Sequence, residues 1–246
     1  MRVGCAPDTF MGGGGQTARS LIEEGAIGKP IAATAFMMVH GHESWHPNPF
    51  FYYDFGGGPM LDMGPYYLTA LVNLMGAMKR VSGSVGQAFD ERIAEHEDVR
   101  GQKIPVKVAT HIAGTIDFEN GAIATVVQSF DVWNHNLSRI EIHGTEGSLV
   151  VPDPNCFDGE VMLWQPSTNE WENVPLRFRS DIERGAGVAD MARCIENDVP
   201  HKATGEMAYH VLDAMLAFVE SSNEGKHIIL ESTTQQPDPV DGTFKI

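Results

Sequence analysis

Residues 56–71, GGGPMLDMGPYYLTAL, decide how this sequence folds, because three glycines run directly into a strongly apolar segment. Helical spacing predicts a set of small or apolar residues that face a core, namely Leu61, Gly64, Pro65, Leu68, Leu71, Val72 and Met75. A second, polar stripe has the same spacing and consists of Asp62, Tyr66, Thr69 and Asn73. That stripe is either a solvated face or the wall of a site.

The composition is that of a soluble globular protein. The chain has 246 residues, 42% of them hydrophobic, which is enough for one large domain or for one domain and a piece of another. Its net charge of −16 disfavours nucleic acids and anionic membranes as partners, because phosphates require clustered lysines and arginines. Cys5, Cys156 and Cys194 show no CxxC spacing, so neither a zinc site nor a disulfide framework is indicated. With no export signal or spanning segment in view, a cytoplasmic location is expected.

The order of predicted elements indicates an α+β fold. A helix over residues 16–25 precedes a strand over 31–41, and a long aromatic loop then leads to the glycine run. Asn120 and Gly121 predict a hairpin between two β-rich runs, further short strands follow, and helices are expected over 187–198 and 206–225. We therefore expect an open, mostly antiparallel sheet that helices cover on one face. Segments such as TAFMMV and ATVVQSF are apolar on both sides, so the open face should bury against a partner.

Several segments together resemble the C-terminal α/β domain of the Gfo/Idh/MocA family of sugar and polyol oxidoreductases. They are the glycine-led segment 56–71, VGCAPDTF and SLIEEGAIGKPIAA near the start, GTIDFENGAIATVVQSFDVW, and IEIHGTEGSLVV. The resemblance spans nearly the whole chain. It implies that residues 1–30 are the end of a Rossmann domain with a connecting helix. Residues 31–246 would then be a domain that binds the substrate and forms the oligomer.

The same resemblance implies NAD or NADP as the cofactor of a complete enzyme, a sugar or polyol as its substrate, and a homo-oligomer formed through the open sheet face. The family's GxGxxG-type fingerprint and its lysine motif have no counterpart in this sequence. The run MGGGGQTARS lacks the fingerprint spacing, and a plain turn is favoured there over an anion-binding loop. The chain alone is therefore not expected to bind the nucleotide.

In the family pattern, an aspartate follows the glycine run and a histidine stands four residues later, which places the catalytic pair on Asp62 and Tyr66. A tyrosine weakens the general-base reading, because a free phenol titrates near pH ~10. The structural alternatives are that Asp62 is an N-cap and that Tyr66 is an aromatic residue at the edge of the core.

Five further residues are candidates for substrate binding: His42, Trp45, His46, His111 and Arg184. His40, His42 and His46 are spaced closely enough for a metal site, with His40 and His42 on one side of a strand, but a substrate-lining loop is favoured and no metal is predicted. His111 shares a strand face with Ala109 and Ala113, and a satisfied sheet histidine is its alternative reading. Arg184 suits a sugar hydroxyl or a cofactor phosphate, and a solvated surface is an equal alternative.

The favoured function is the substrate and oligomerisation domain of a NAD(P)-dependent oxidoreductase that acts on a sugar, glycoside or polyol alcohol. One alternative is a carbohydrate-binding or structural subunit without redox chemistry. Another is a cofactor-free lyase or hydratase, with or without a metal, that acts on a sugar through Asp62, Tyr66 and the histidine loop.

Overall fold

The computed structural model describes residues 1–179 and 181–240. The helices in this part are α1 (Gly13–Glu23), α2 (Pro59–Met75), α3 (Ala186–Glu196) and α4 (Gly205–Glu224), with short 3-10 helices at Thr9–Met11 and Phe50–Tyr53. The strands are β1 (Pro30–Met38), β2 (Met78–Gly86), β3 (Glu91–Ile93), β4 (Lys103–Pro105), β5 (His111–Phe118), β6 (Ile123–Ser129), β7 (Ile140–Gly144), β8 (Ser148–Val151), β9 (Val161–Trp164), β10 (Trp171–Val174) and β11 (Ile228–Ile229). No helix in this part of the chain is long and apolar enough to cross a membrane.

Nine strands form one sheet in the order β10-β9-β8-β7-β1-β6-β5-β2-β11, and β3 pairs with β4 in a separate hairpin. Only β1 and β6 pair in parallel among the described strands of the large sheet. The predicted hairpin is present: β5 and β6 are joined through Gly121, whose φ of +89° suits glycine. The predicted open, mostly antiparallel sheet is therefore confirmed.

Helices α1, α2 and α4 all pack on one face of the sheet. The alternating burial of β1 shows this directly, because Ala33, Ala35 and Met37 are buried whereas their neighbours are only partly covered. Helix α2 lies across β1, β6 and β5 with α1 and α4 beside it. It is therefore buried almost all round.

The burial of α2 corrects the prediction made from its two stripes. Thr69 and Asn73, which were placed on the polar stripe, are 2% and 1% exposed, whereas Leu61 and Pro65 are only partly buried. The backbone carbonyl of Asn73 accepts hydrogen bonds from the Arg19 guanidinium and from Gln236 Nε2, whereas its side-chain Oδ1 is buried with no hydrogen-bond partner among the described residues. Only the first two members of the stripe, Asp62 and Tyr66, retain access to solvent.

The open face of the sheet is less apolar than its sequence indicates. A row of threonines, Thr34, Thr125 and Thr115, crosses three neighbouring strands in register. Apolar side chains accompany them, and Ile123 is 49% exposed. Strand β2, which the sequence analysis did not identify, extends this face beyond β5. The open face is therefore a mixed surface rather than a purely apolar one.

The predicted turn at the MGGGG run is a helix instead. Gly13 starts α1, and the Gly14 N–H donates to the carbonyl of Phe157 at 3.2 Å. A Cβ atom on Gly13 would lie 2.7 Å from the carbonyl oxygen of Arg179. Backbone from residues 157–158 and 178–179 thus covers this end of α1, so the glycines allow close packing of the chain on itself.

Candidate active site

The three glycines before α2 fold the aromatic turn at Phe50–Tyr53 against the start of the helix. Gly56 and Gly58 both have a φ of +87°, which side-chain-bearing residues rarely adopt. A Cβ atom on Gly57 would collide with the carbonyl of Phe51. The Gly58 N–H donates to the Tyr52 carbonyl at 2.7 Å, which fixes the turn beside the first residues of α2. The chain's own backbone therefore occupies the space beside Gly57 and Gly58, whereas the space beside Gly56 is open.

Gly58 is the N-cap of α2, so the N-cap reading of Asp62 is wrong. Asp62 lies one turn into the helix, where its side chain is 28% exposed and its Oδ2 lies 3.2 Å from His42 Nε2. A carboxylate in the first turn is favoured by the helix dipole, but it is not needed to cap the helix. Asp62 is thus available to orient an imidazole that comes from the preceding loop.

The imidazole of His42 is enclosed by aromatic rings. Its ring centroid lies 4.4 Å from that of Tyr52, 4.7 Å from that of Phe130 and 5.3 Å from that of Trp45. The His42 side chain is 14% exposed, and its Nδ1 atom has no hydrogen-bond partner among the described residues. The ring therefore has one nitrogen held by a carboxylate and the other nitrogen free.

Tyr52 and His46 complete the set of rings around His42. Burial, together with the charge of Asp62, raises the pKa of the Tyr52 phenol, so Tyr52 stays protonated at neutral pH. The His46 ring meets Trp45, Phe51 and Tyr52 edge-on, and its Nδ1 accepts the Asn48 N–H at 3.0 Å. The structure therefore brings His42, Trp45 and His46 together beside Asp62.

His40 belongs to a different cluster, which corrects the expected pairing of His40 and His42 on one strand face. Strand β1 ends at Met38, and Gly41 has a φ of +85°. His40 stacks on Trp133 with ring centroids 3.4 Å apart and contacts Arg92. Within residues 1–179 and 181–240, no group of three or more His, Cys, Asp or Glu side chains is arranged to hold a metal ion.

Tyr66 and Arg184 form a second polar contact one helical turn from Asp62. Arg184 Nη1 donates to the Tyr66 hydroxyl at 3.3 Å, and its guanidinium carbon lies 5.6 Å from the centre of the phenol ring. Arg184 Nη2 also donates to Asn155 Oδ1 at 2.6 Å. The acid and the phenol thus contact different partners: Asp62 contacts His42, and Tyr66 contacts Arg184.

His111 lies apart from this site. It is the first residue of β5, so Ala109 is not on its strand face, and it alternates with Ile112, which is buried on the helix side. Its Nδ1 lies 2.9 Å from Ser129 Oγ on the open face. The sheet therefore separates His111 from Asp62, and the reading of a satisfied sheet histidine fits its geometry.

Sequence reasoning missed Tyr52, Phe130 and Asn155, which line or position the candidate residues. The aromatic run FFYY before the glycines was a signal for Tyr52. Phe130 follows β6 and Asn155 follows β8, and the fold rather than any local sequence pattern brings them to the candidate site. A cavity of about 480 Å³ lies elsewhere, between residues 200–206 and 233–238, and none of the candidate residues lines it.

Comparison with solved structures shows the same fold in several oxidoreductases. The apo form of levoglucosan dehydrogenase matches with a TM-score of 0.76 at 20% identity, over 94% of this chain and 67% of that one. Its complex with NADH and L-sorbose matches with a TM-score of 0.72 at 21% identity, over 91% and 64%. Aldose-aldose oxidoreductase from Caulobacter crescentus, complexed with glycerol, matches with a TM-score of 0.75 at 17% identity, over 93% and 64%.

The chain thus spans roughly two thirds of the length of these solved relatives. A comparison with curated proteins found no match. The profile of the GFO/IDH/MocA C-terminal domain matches residues 16–150, which are more than half of the sequence and include most of α1, the glycine run before α2 and the Asp62–His42 pair. By this match and by its fold, the chain belongs to the Gfo/Idh/MocA family of oxidoreductases.

Proposed function

We propose that this chain is the substrate-binding part of an oxidoreductase that oxidises a hydroxyl group of a sugar or polyol. In this proposal His42 is the general base and Asp62 orients it. The contact of 3.2 Å between His42 Nε2 and Asp62 Oδ2 is the observation that carries the proposal. This contact pairs an imidazole with the carboxylate. The imidazole comes from the loop, because α2 has a phenol, Tyr66, at the position where the family pattern has a histidine.

In this proposal the contact with Asp62 sets the tautomer of the base. A carboxylate at Nε2 favours the proton on that nitrogen, which leaves the lone pair of Nδ1 to accept a proton from a substrate hydroxyl. The surrounding Tyr52, Phe130 and Trp45 rings limit water access and present flat surfaces to a sugar ring. His46 lies at the edge of the same set of rings.

The solved relatives include complexes with NADH or NAD⁺, and a nicotinamide supplies the hydride acceptor in such reactions. Because the glycine run at α1 is filled by the chain's own backbone, we propose that the nucleotide is held by residues outside this sequence. The proposed division is the one stated above, with residues 1–30 as a connection to a nucleotide-binding domain and residues 31–246 as the substrate and oligomerisation domain.

The test compares Asp62→Asn and His42→Gln with Asp54→Asn as a matched control. Asp54 is in the same loop, but its side chain is 51% exposed and pairs with Lys107. Loss of the base or of its partner should lower sugar oxidation by roughly 10²-fold or more. Binding of the sugar is measured in parallel where the chain is assayed alone, and melting curves verify folding.

A rescue variant sharpens the test. His42→Gln combined with Tyr66→His returns the imidazole to the helix position that the family pattern uses, and should restore part of the lost activity. Unchanged activity and binding in both Asp62→Asn and His42→Gln would refute the assignment. A sugar that binds but is not oxidised in any assembly that supplies NAD or NADP would favour the carbohydrate-binding alternative.

We also propose that copies of the chain associate through the open sheet face. The support is that this face carries a threonine row and exposed apolar side chains such as Ile123, while the helices cover only the other face.

A further inference from the structure

Arg184 differs from most arginines of this protein in its partners. Eight of the ten arginines lie within 4.0 Å of a carboxylate oxygen of the described chain. Arg100 and Arg184 do not, within the part of the chain that the structure describes. In a sequence with 33 acidic residues and 17 basic ones, an arginine without a carboxylate partner stands out.

Arg184 is nevertheless held in place. Its two terminal nitrogens donate to neutral acceptors, the Tyr66 hydroxyl at 3.3 Å and Asn155 Oδ1 at 2.6 Å. A guanidinium has five N–H donors, so these two bonds orient the group and leave donors for a ligand. Arg100 is exposed and has no such partners among the described residues. Arg184 is therefore a positioned cation that contacts no carboxylate among residues 1–179 and 181–240.

The backbone that carries Arg184 is also fixed. Asp8, 8% exposed, accepts the N–H groups of Gly185 and Gly187 through Oδ2, both at 2.9 Å. The Asp8 carboxylate thereby caps the start of α3, and it contacts the backbone of that helix rather than the Arg184 guanidinium. A cavity of about 250 Å³, lined in part by Asp8, Arg184 and Gly185, borders this segment.

The surroundings of Arg184 are not broadly positive. Burial chiefly raises the pKa of the Cys156 thiol, and Asp153 and Asp158 raise it further, whereas Arg184 lowers it. Asp153 is itself paired with Arg139 at 3.8 Å. With a protein of net charge −16 around it, an anion would be held here through direct hydrogen bonds to the guanidinium and not through a long-range field.

We infer that Arg184 binds a carboxylate on the substrate whose hydroxyl reaches His42, so that the substrate class is a sugar acid or another hydroxy acid. This inference rests on the proposed function. Tyr66 and Asp62 are four residues apart on one face of α2, a separation of roughly 6 Å along the helix axis. A single sugar ring with a carboxylate on one side and a reacting hydroxyl on the other spans such a distance.

The test measures binding of four probes to the 246-residue chain by calorimetry: D-glucuronate, D-glucose, glucose 6-phosphate and NADP⁺. D-glucuronate should bind more tightly than D-glucose. Arg184→Met should weaken glucuronate binding by roughly 10–100-fold, the range for a lost hydrogen bond to a charged group, and change glucose binding by less than about twofold. Arg184→Lys should be intermediate, because lysine cannot make a bidentate contact. Arg100→Met is the matched control, since it changes the net charge equally.

The inference is overturned by equal affinity for glucuronate and glucose, by similar effects of Arg184→Met and Arg100→Met, or by the absence of glucuronate binding at millimolar concentration. Dependence on Arg184 confined to glucose 6-phosphate or NADP⁺ also overturns it and assigns the residue to a phosphate. Failure of the proposed function gives a different result. Glucuronate would then still bind through Arg184, but neither Asp62→Asn nor His42→Gln would change its binding.

Discussion

Replacing Arg92 by methionine should destabilise the protein severely, although Arg92 is in the small β3–β4 hairpin rather than in the large sheet. Its guanidinium donates to Glu43 Oε1 at 3.0 Å, to the Phe130 carbonyl at 2.7 Å and to Asp131 Oδ1. The side chains of Arg92, Glu43 and Asp131 are only 4%, 7% and 9% exposed. Arg92→Met therefore leaves two buried carboxylates without a cation.

The expected loss follows from that burial. Breaking a buried ion pair by removing one partner costs about 3–5 kcal/mol, because the remaining charge is not solvated. Glu43 would keep the Tyr53 hydroxyl, and Asp131 would keep Thr110 Oγ1 at 2.7 Å, so both carboxylates retain neutral donors but no positive charge. The triple variant Arg92→Met, Glu43→Gln and Asp131→Asn removes the charges together and should recover most of the loss.

Urea unfolding, followed by tryptophan fluorescence, measures the change. Lys103→Met is the control in the same hairpin: its ion pair with Glu91 at 2.9 Å has side chains 70% and 40% exposed and should contribute less than about 1 kcal/mol. An effect of Arg92→Met no larger than that of Lys103→Met, or a triple variant as unstable as Arg92→Met alone, would refute the reasoning.

Two further predictions concern α4 and the open sheet face. Burial lowers the pKa of His210, whose Nε2 accepts the Met78 N–H at 3.0 Å. The unfolded chain therefore binds the proton more readily than the folded protein does. The free energy of unfolding should fall as pH drops below about 6.5, and it should stop falling below the pKa that His210 has in the folded protein. In urea titrations at a series of pH values, His210→Gln should flatten the pH dependence of the free energy of unfolding, whereas His227→Gln, at an exposed position, should not. The same pH dependence in the wild type and both variants would contradict this prediction. Thr125→Glu, in the middle of the open face, should weaken self-association measured by light scattering, whereas Thr168→Glu in the β9–β10 turn should not; the same oligomer in both variants would argue against this interface.

The fold was predictable where the sequence pattern is local. The helices, the strand at β1 and the hairpin at Gly121 follow from periodicity and turn chemistry. Strand β2 was missed because its sequence, MKRVSGSVG, has no clean alternation. Gly83 is required there, since a Cβ atom would lie 2.9 Å from the Phe218 Cα on α4, and this packing between distant segments leaves no local signal.

The candidate site was predictable in its residue types but not in its pairings. The aromatic and histidine-rich loop before the glycine run marked His42, Trp45 and His46 as candidates, and the family pattern marked Asp62. The contact between His42 and Asp62, twenty residues apart, depends on the turn at Gly41 and on the anchoring of Glu43 by Arg92. Such tertiary contacts decide which member of a histidine cluster meets the acid, and a single sequence does not reveal them.

The two departures of this site from the family pattern have one physical explanation. A phenol at position 66 cannot replace an imidazole as a base near neutral pH, but its oxygen accepts a hydrogen bond from a guanidinium. With Tyr66 in that position, the helix supplies an anchor for Arg184, at 3.3 Å, and the loop supplies the imidazole for Asp62, at 3.2 Å. In the proposals made above, proton transfer and anion recognition fall to separate side chains along one face of α2. A neutral histidine at this helix position has one acceptor nitrogen, and as a base it needs that nitrogen for the substrate proton, so it could not also accept a hydrogen bond from the arginine. The exchange of His for Tyr is therefore in line with the proposed substrate, which carries its own negative charge.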